Sequence, residues 1–206
     1  MIVIWDVVHR ERRALIDDLV RLTPEQWNTP SGCAGWTIHD VLAHLVDDAK
    51  TTKLGFALSL MRARFNFDRL NQNGVEQEKQ PHPLETLEAF RAVSDRSSSA
   101  PAPLASRLVE IIVHSEDIRR PLGIQHPYPI KAIIEAIKYQ LATSGSMGGS
   151  KDRAQGLHLV ATEADWSHGI GEEVHGHAID LLLALTGREV PDDALSGAGA
   201  ATLRNR

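Results

Sequence analysis

The chain has 206 residues, 42% of them hydrophobic and 24% charged, a composition that suits a folded domain with a small appendage and excludes a mainly disordered protein. Its formal net charge is -5 and it carries no long basic run, which argues against a nucleic-acid partner. Because it has one cysteine, Cys33, and no stretch approaching ~20 uninterrupted apolar residues, we expect a soluble cytoplasmic protein without a membrane partner.

Helical periodicity dominates the first two thirds of the chain, where apolar residues recur three and four positions apart. Thr37 followed by Asp40 is typical of a helix start, and the Asn- and Gly-containing segment 71–74 is predicted to interrupt a helical stretch. The predicted helical segments are, in chain order, 7–22, a single turn ending near 27, 37 to beyond 50, 54–67, 84–93, 104–120 and 130–141. Long amphipathic helices joined in this way predict a four-helix bundle over residues 1–145.

A small mixed domain is predicted at the C-terminal end of the chain. Residues 143–150 contain three glycines in eight positions and form the strongest shift in composition. The predicted elements beyond it are a strand at 156–162, a hairpin partner at 165–169, a short helix at 178–185 closed by Gly187 and a strand near 201–203. We therefore predict an α+β fold, mainly α, with a small α/β domain over residues 152–206 packed on the bundle.

Three side chains in the predicted bundle have the chemistry of metal ligands. Glu110 and His114 are four positions apart, so they lie one turn apart on one helix face. His44 lies in the middle of a mostly apolar helix, where its ring needs a partner. If the two helices are neighbours, two imidazoles and a carboxylate converge and leave a tetrahedral ion one open position, as catalytic sites do. Imidazole ligands favour zinc over magnesium.

Two aspartates are placed to orient these histidines, although an ordinary structural role explains the same residues. Asp40 lies four positions before His44 and Asp117 three after His114, so each carboxylate could fix the tautomer of an imidazole. Alternatively, Glu110 and His114 form a common surface pair, and His44 is a hydrogen-bonded core histidine. The spacing leaves both interpretations open.

Several segments of the chain carry a resemblance to a known family. Residues 35–45 (GWTIHDVLAHL) and 110–123 (EIIVHSEDIRRPLG) resemble the two metal-ligand segments of the DinB-like bundle superfamily, in its branch of mycothiol-dependent maleylpyruvate isomerases. The C-terminal half of that family is similar to residues 156–166 and 171–188. The resemblance implies a zinc-type divalent site at His44, Glu110 and His114, a C-terminal domain like the sterol-carrier fold, and mycothiol as a cosubstrate.

The same resemblance implies a catalytic arginine in the second domain, and Arg188 is the position that matches it best. An arginine just beyond a helix end is equally explained by the helix dipole. Arg119 and Arg120, beyond the predicted ligand helix, are further candidates for binding a substrate carboxylate, with the same dipole alternative.

The function that these parts imply is a metal-dependent thiol isomerase or transferase. A metal-bound thiol is stabilised as a thiolate and can attack an electrophilic carbon of a small substrate. Two alternatives stay open: a metal-dependent hydrolase that activates a bound water, and a non-catalytic metal- or ligand-binding stress protein, for instance a homodimer. Cys33 precedes a predicted helix and could be reactive, but a structural loop cysteine is the better interpretation.

Overall fold

Residues 2–206 are described by the computed structural model, and Met1, the first residue of the predicted helical domain, lies outside them. Contacts divide this part of the chain into two units, Val3–His126 and Pro127–Arg206. No helix within residues 2–206 is long and apolar enough to cross a membrane.

The first unit is built on a four-helix bundle. Its helices are α1 (Ile4–Leu19), α2 (Ile38–Lys50), α3 (Lys53–Arg62), α4 (Phe67–Glu78), α5 (Pro83–Val93) and α6 (Ser106–Arg119). Helices α1 and α2 each pack against both α5 and α6, which closes the bundle, while α4 packs on the outside of α2 and α3 packs on α4. Single turns of 3-10 helix lie at Gln26–Asn28, as predicted near residue 27, and at Arg120–Leu122.

Helix α2 is enclosed on several sides because it contacts α4, α5 and α6. Nine of its 13 residues are buried. The helix start predicted at Thr37 and Asp40 is confirmed and is a capping box: the Thr37 side chain accepts from the Asp40 backbone N–H and the Asp40 carboxylate accepts from the Thr37 N–H. The prediction that the helix continues beyond Lys50 is wrong, because Thr51 takes an extended conformation there.

The predicted interruption at residues 71–74 is also wrong, because α4 runs through all of them. The chain instead breaks between α3 and α4, where Arg64 and Phe65 adopt left-handed φ values of 56° and 60°. Gly74 is tolerated inside α4 for a packing reason. A Cβ at that position would lie 2.5 Å from Oδ2 of Asp47 on α2, so the glycine lets the two helices approach closely.

The second unit combines helices with a small mixed sheet. Its elements are α7 (Ile130–Ala142), β1 (Leu157–Ala161), β2 (Trp166–Gly169), β3 (Glu172–Gly176), α8 (Ala178–Leu185), β4 (Leu195–Ser196) and α9 (Ala200–Asn205). The strand order is β2-β1-β3-β4. β1 pairs antiparallel with β2, as the predicted hairpin requires, and parallel with β3, while β3 pairs antiparallel with β4. Helix α8 packs against α7, α9 and β1.

The fold class is confirmed as mainly α with a small mixed α/β part, and one further difference from prediction lies in the second unit. The strand predicted near 201–203 is wrong: these residues lie in α9, where Leu203 is fully buried. Helix α7 packs on α8, so contacts divide the chain at residue 126, and the proposed domain boundary between 145 and 152 stays a prediction.

The cap of α2 should matter more to global stability than the cap of α3. We expect Thr37→Ala to lower the free energy of unfolding by about 1 kcal/mol in urea titrations, because it removes a capping bond from a helix at the centre of the bundle. Thr52→Ala is the matched control: Thr52 caps α3 by accepting from the Gly55 N–H, but none of the ten residues of α3 is buried. An equal loss in both variants would contradict the central role of α2.

Candidate metal centre

Helices α2 and α6 bring the three predicted ligands together. The Oε2 atom of Glu110 lies 3.3 Å from Nε2 of His114 and 3.5 Å from Nε2 of His44. The two imidazole rings meet edge to face, with centroids 4.7 Å apart and an interplanar angle of 75°. One ligand atom from each of the three residues lies within 4.8 Å of the other two. A single cation can therefore contact all three side chains.

Asp117 orients His114 as its spacing predicts. The Nδ1 atom of His114 lies 2.9 Å from Oδ2 of Asp117, which directs the other ring nitrogen, Nε2, towards Glu110. The aspartate is itself fixed, because it is 1% exposed and its backbone carbonyl accepts a hydrogen bond from the Gly32 N–H at 2.8 Å. A Cβ on Gly32 would lie 2.8 Å from Oδ1 of Asp117. Glycine at this position therefore lets the loop before α2 pack on the aspartate.

Asp40 does not play the corresponding role for His44. Its Oδ2 accepts from the Thr37 backbone and hydroxyl groups, and its Oδ1 accepts from Nζ of Lys79 at 2.7 Å. Among residues 2–206, Nδ1 of His44 has no hydrogen-bond partner although it is buried. The ring of Trp36 also packs against His44, with centroids 5.2 Å apart. The helix cap thus takes the carboxylate that the spacing had assigned to the histidine.

The electrostatics of the cluster favour a charged Glu110. Burial by itself would raise the pKa of Glu110, but the neighbouring His114 and His44 rings and Arg107 outweigh it and hold that pKa well below its usual range. Burial by itself would likewise lower the pKa of His114, but its contacts with Asp117 and Glu110 prevail and raise the pKa to about 9. Without a metal, the His114 imidazolium lies between the carboxylates of Glu110 and Asp117 and offsets one of their two negative charges.

The donor set fits zinc. Two imidazoles and one carboxylate are a combination that zinc binds in catalytic sites. The tautomer of His114 that Asp117 holds is a further feature that a bound cation would explain. The Glu110–His114 pair is partly buried, with side chains 30% and 13% exposed, and the structural alternative for these residues stays open beside the metal site. The metal itself stays a prediction.

The other predicted side chains lie elsewhere. Arg188 belongs to the second unit and donates from Nη1 to the Thr186 carbonyl at 2.9 Å, at the C-terminal end of α8. Arg119 is fully buried and pairs with Asp18 at 2.8 Å, so its side chain stabilises the core of the bundle. Arg120 pairs with Glu116 at 2.9 Å. Cys33 lies half-buried in the loop before α2 and forms no disulfide within residues 2–206.

A cavity that the sequence did not predict adjoins the cluster in the first unit. It has a volume of about 470 Å³ and is lined by His44 and Glu110 together with polar side chains of α2, α3, α4 and α6. Charged members of this lining include Asp47, Lys50, Arg62 and Arg107. Asp47 and Arg107 lie three positions from His44 and Glu110 respectively, so helical spacing from the ligands could have indicated these two. Burial raises the pKa of Asp47, although His44 opposes the shift.

Stability of the metal-free protein should depend on pH above neutrality. Folding raises the pKa of His114 from 6.5 to about 9. The contribution of this histidine to the free energy of unfolding is therefore fully present below about pH 6.5 and is lost as the pH rises through 9. We expect the free energy of unfolding to fall by about 3 kcal/mol at most over this pH range. The measurement is urea unfolding of chelator-treated protein. His114→Gln should flatten this decline. A decline of the same size in both proteins would contradict the assignment.

A comparison with protein families matches most of the helical bundle. Residues 8–106 match the family model described as the mycothiol maleylpyruvate isomerase N-terminal domain. This match includes His44 and ends before Glu110 and His114. No curated protein matches the sequence significantly.

Two solved structures are similar to the whole chain. They are crystal structures of the mycothiol-dependent maleylpyruvate isomerase and of a histidine-to-alanine mutant. Each has 14% sequence identity and a TM-score of 0.62, and the alignment covers 96% of this chain and 92% of the other. Residues 8–106 thus match the model of the mycothiol maleylpyruvate isomerase N-terminal domain, and the chain has the fold of the mycothiol-dependent maleylpyruvate isomerase.

Proposed function

We propose that this protein is a divalent-metal-dependent, mycothiol-using enzyme of the maleylpyruvate isomerase type, which adds an activated thiol to a small electrophilic substrate. The observation that carries the proposal is the convergence of His44, Glu110 and His114 beside a cavity large enough for a small molecule. The family of the bundle and the shared fold support mycothiol as the thiol.

The residues around the cluster have separable roles in this proposal. His114 and Glu110 present a ring nitrogen and a carboxylate oxygen 3.3 Å apart, and Asp117 keeps the ring from turning. His44 supplies the third donor from the facing helix. A divalent ion held by these donors would supply a Lewis acid that keeps a thiol as its thiolate at neutral pH. The burial of both histidines limits the access of bulk water to that thiolate.

The chemistry then requires no nucleophile from the protein. The thiolate adds to one carbon of a conjugated double bond, the resulting single bond rotates, and elimination of the same thiolate restores the double bond with the opposite geometry. If the carbanion formed by the addition takes up a proton instead of expelling the thiolate, the thioether adduct is the product and the reaction is an S-transfer. Arg188 remains a proposed catalytic residue on the strength of the family resemblance.

Loss of one ligand should abolish metal binding without unfolding the protein. We expect purified His114→Ala to contain far less than one equivalent of zinc by mass spectrometry of metals, with an unchanged far-UV circular dichroism spectrum, because only two donors remain. His168→Ala, which changes an exposed histidine on β2, is the control and should keep its zinc. Stoichiometric zinc in His114→Ala would mean that the ligands are misassigned.

The role of mycothiol should depend on the metal. We expect calorimetric titration to detect mycothiol binding to the zinc-loaded protein and at least tenfold weaker binding to the chelator-treated protein, because the thiolate loses its cation. Loaded protein that is indifferent to mycothiol would contradict the thiol-dependent function. That outcome would favour the two alternatives, a metal-dependent hydrolase or a non-catalytic metal-binding protein.

A further inference from the structure

A second cavity of the first unit lies against a different face of α2 from the metal-ligand cluster. It has a volume of about 880 Å³ and shares no lining residue with the cavity beside the cluster. Its lining includes His39, which lies five positions before His44, so the two side chains are roughly 140° apart round the helix. The rest of the lining comes from residues 22–28, which follow α1, and from residues 79–84, which connect α4 to α5.

Most of this lining is apolar. Trp27 is 2% exposed and packs edge to face on His39, with ring centroids 6.1 Å apart. The proline residues add apolar rings and have no backbone N–H to donate. Pockets of several hundred Å³ with apolar walls and a few polar groups are where proteins bind small molecules. The apolar members of the lining are Leu22, Pro24, Trp27, Pro81, Pro83 and Leu84.

Two buried rings in this lining carry a nitrogen without a hydrogen-bond partner. Within residues 2–206, Nε1 of Trp27 makes no hydrogen bond, and His39, which is 5% exposed, makes one through Nε2 and none through Nδ1. Neither free nitrogen is completely enclosed by protein atoms. Because a buried donor without an acceptor is unfavourable, an acceptor that enters the cavity would stabilise both rings.

The free nitrogen of His39 is a donor. Oγ1 of Thr86 accepts from the Gln80 backbone N–H at 3.0 Å and lies 2.8 Å from Nε2 of His39. The Thr86 hydroxyl has no other hydrogen-bond partner within residues 2–206, so its proton is donated to Nε2. Burial and the charge of Lys79 lower the pKa of His39, so the ring is neutral and its one N–H is at Nδ1.

The charge of the lining favours an uncharged ligand. Lys79 is its one lysine, arginine or acidic residue, and Nζ of Lys79 is paired with Oδ1 of Asp40 at 2.7 Å. An ionic ligand would lose hydration in this cavity without gaining an unpaired counter-ion. An uncharged molecule with an acceptor atom avoids that cost and satisfies the two free donors.

We propose that this cavity binds a small, uncharged and largely apolar molecule, whose carbonyl-type oxygen accepts hydrogen bonds from Trp27 and His39. Thr86 is a positioning residue, because it fixes the tautomer of His39. The proposal is independent of the proposed function, since none of these residues belongs to the metal-ligand cluster or lines the cavity beside it.

An ordinary explanation exists for the same two nitrogens, since water that enters the cavity can accept their hydrogen bonds. That explanation predicts no preference among solutes. The experiment must therefore compare molecules that differ in their acceptor and in their charge.

The test is a nuclear magnetic resonance titration of isotope-labelled full-length protein, which follows the indole N–H signal of Trp27. This signal is assigned as the one that is missing from Trp27→Phe. The probes are acetophenone, which is uncharged and has a carbonyl, toluene, which has no acceptor, and benzoate, which is charged. We expect acetophenone to shift the signal saturably and to bind at least about fivefold more tightly than toluene or benzoate.

Variants locate the binding within the protein. Leu84→Glu puts a carboxylate into the lining at a residue that is 56% exposed, and an acid is favourable there because Leu84 lies in the first turn of α5. We expect this variant to bind acetophenone at least about tenfold more weakly. Leu58→Glu is the matched control, because Leu58 is 51% exposed on α3 and lines neither cavity. It should bind acetophenone as wild type does.

His39→Phe tests the second donor. It keeps a ring and removes the N–H, so we expect acetophenone binding to weaken about fivefold with an unchanged far-UV circular dichroism spectrum. If His39→Phe does not fold, the three probes and the two leucine variants still decide the outcome.

Any of three results would overturn the proposal: no saturable shift of the Trp27 signal by acetophenone up to its solubility limit, equally tight binding of toluene or benzoate, or an equal loss in Leu84→Glu and Leu58→Glu. Zinc content and mycothiol binding of Leu84→Glu are measured in parallel and should equal those of wild type. A change in either would contradict the separation of this cavity from the metal-ligand cluster.

Discussion

The packing of α2 against α6 is the contact on which the candidate site depends. It places His44 against Glu110 and His114 in a region where these rings are almost excluded from solvent. Burying a carboxylate and two imidazoles costs several kcal/mol for each charge unless the groups are paired. The pairing of His114 with both Glu110 and Asp117 offsets that cost in the absence of a metal, and a bound cation would offset it at the same place.

The surrounding bundle is arranged so that this contact is held from several sides. The Asp48 carboxylate of α2 pairs with Arg107 of α6, one turn before Glu110, and lies within 3.7 Å of Arg12 on α1. Removing either arginine would leave a buried charge with less compensation, which typically costs a few kcal/mol. The ion pairs that neutralise the interior thus also fix the register between the two helices that carry the ligands.

Much of the site could be predicted from the sequence because helical spacing is a local property. The four-residue separation of Glu110 and His114, and the three-residue step to Asp117, fix their relative positions once the helix forms. The pairing of Asp40 with His44 failed for an equally local reason, since the capping box competes for the same carboxylate. Spacing shows which side chains can meet and does not decide between two partners that are both in reach.

The features that could not be predicted depend on contacts between elements that are distant in sequence. Gly74 looked like a helix breaker, and its place inside α4 is explained only by its closeness to Asp47 on α2. The 470 Å³ cavity is likewise lined by residues from four helices. Its outer wall, α3, carries exposed apolar side chains and follows no core-facing pattern, so no periodicity in the sequence marks it.

His44 and His114 differ in how firmly their rings are held, because Nδ1 of His44 has no hydrogen-bond partner within residues 2–206. Rotation of the His114 ring would break its bonds to both Asp117 and Glu110, whereas rotation of the His44 ring would give up only its 3.5 Å contact with Glu110. We therefore expect a bound cation to dissociate first from His44 and only afterwards from Glu110 and His114. The His114 imidazole would then stay fixed while the His44 imidazole rotates, and the rotation of His44 would set the rate of ion exchange.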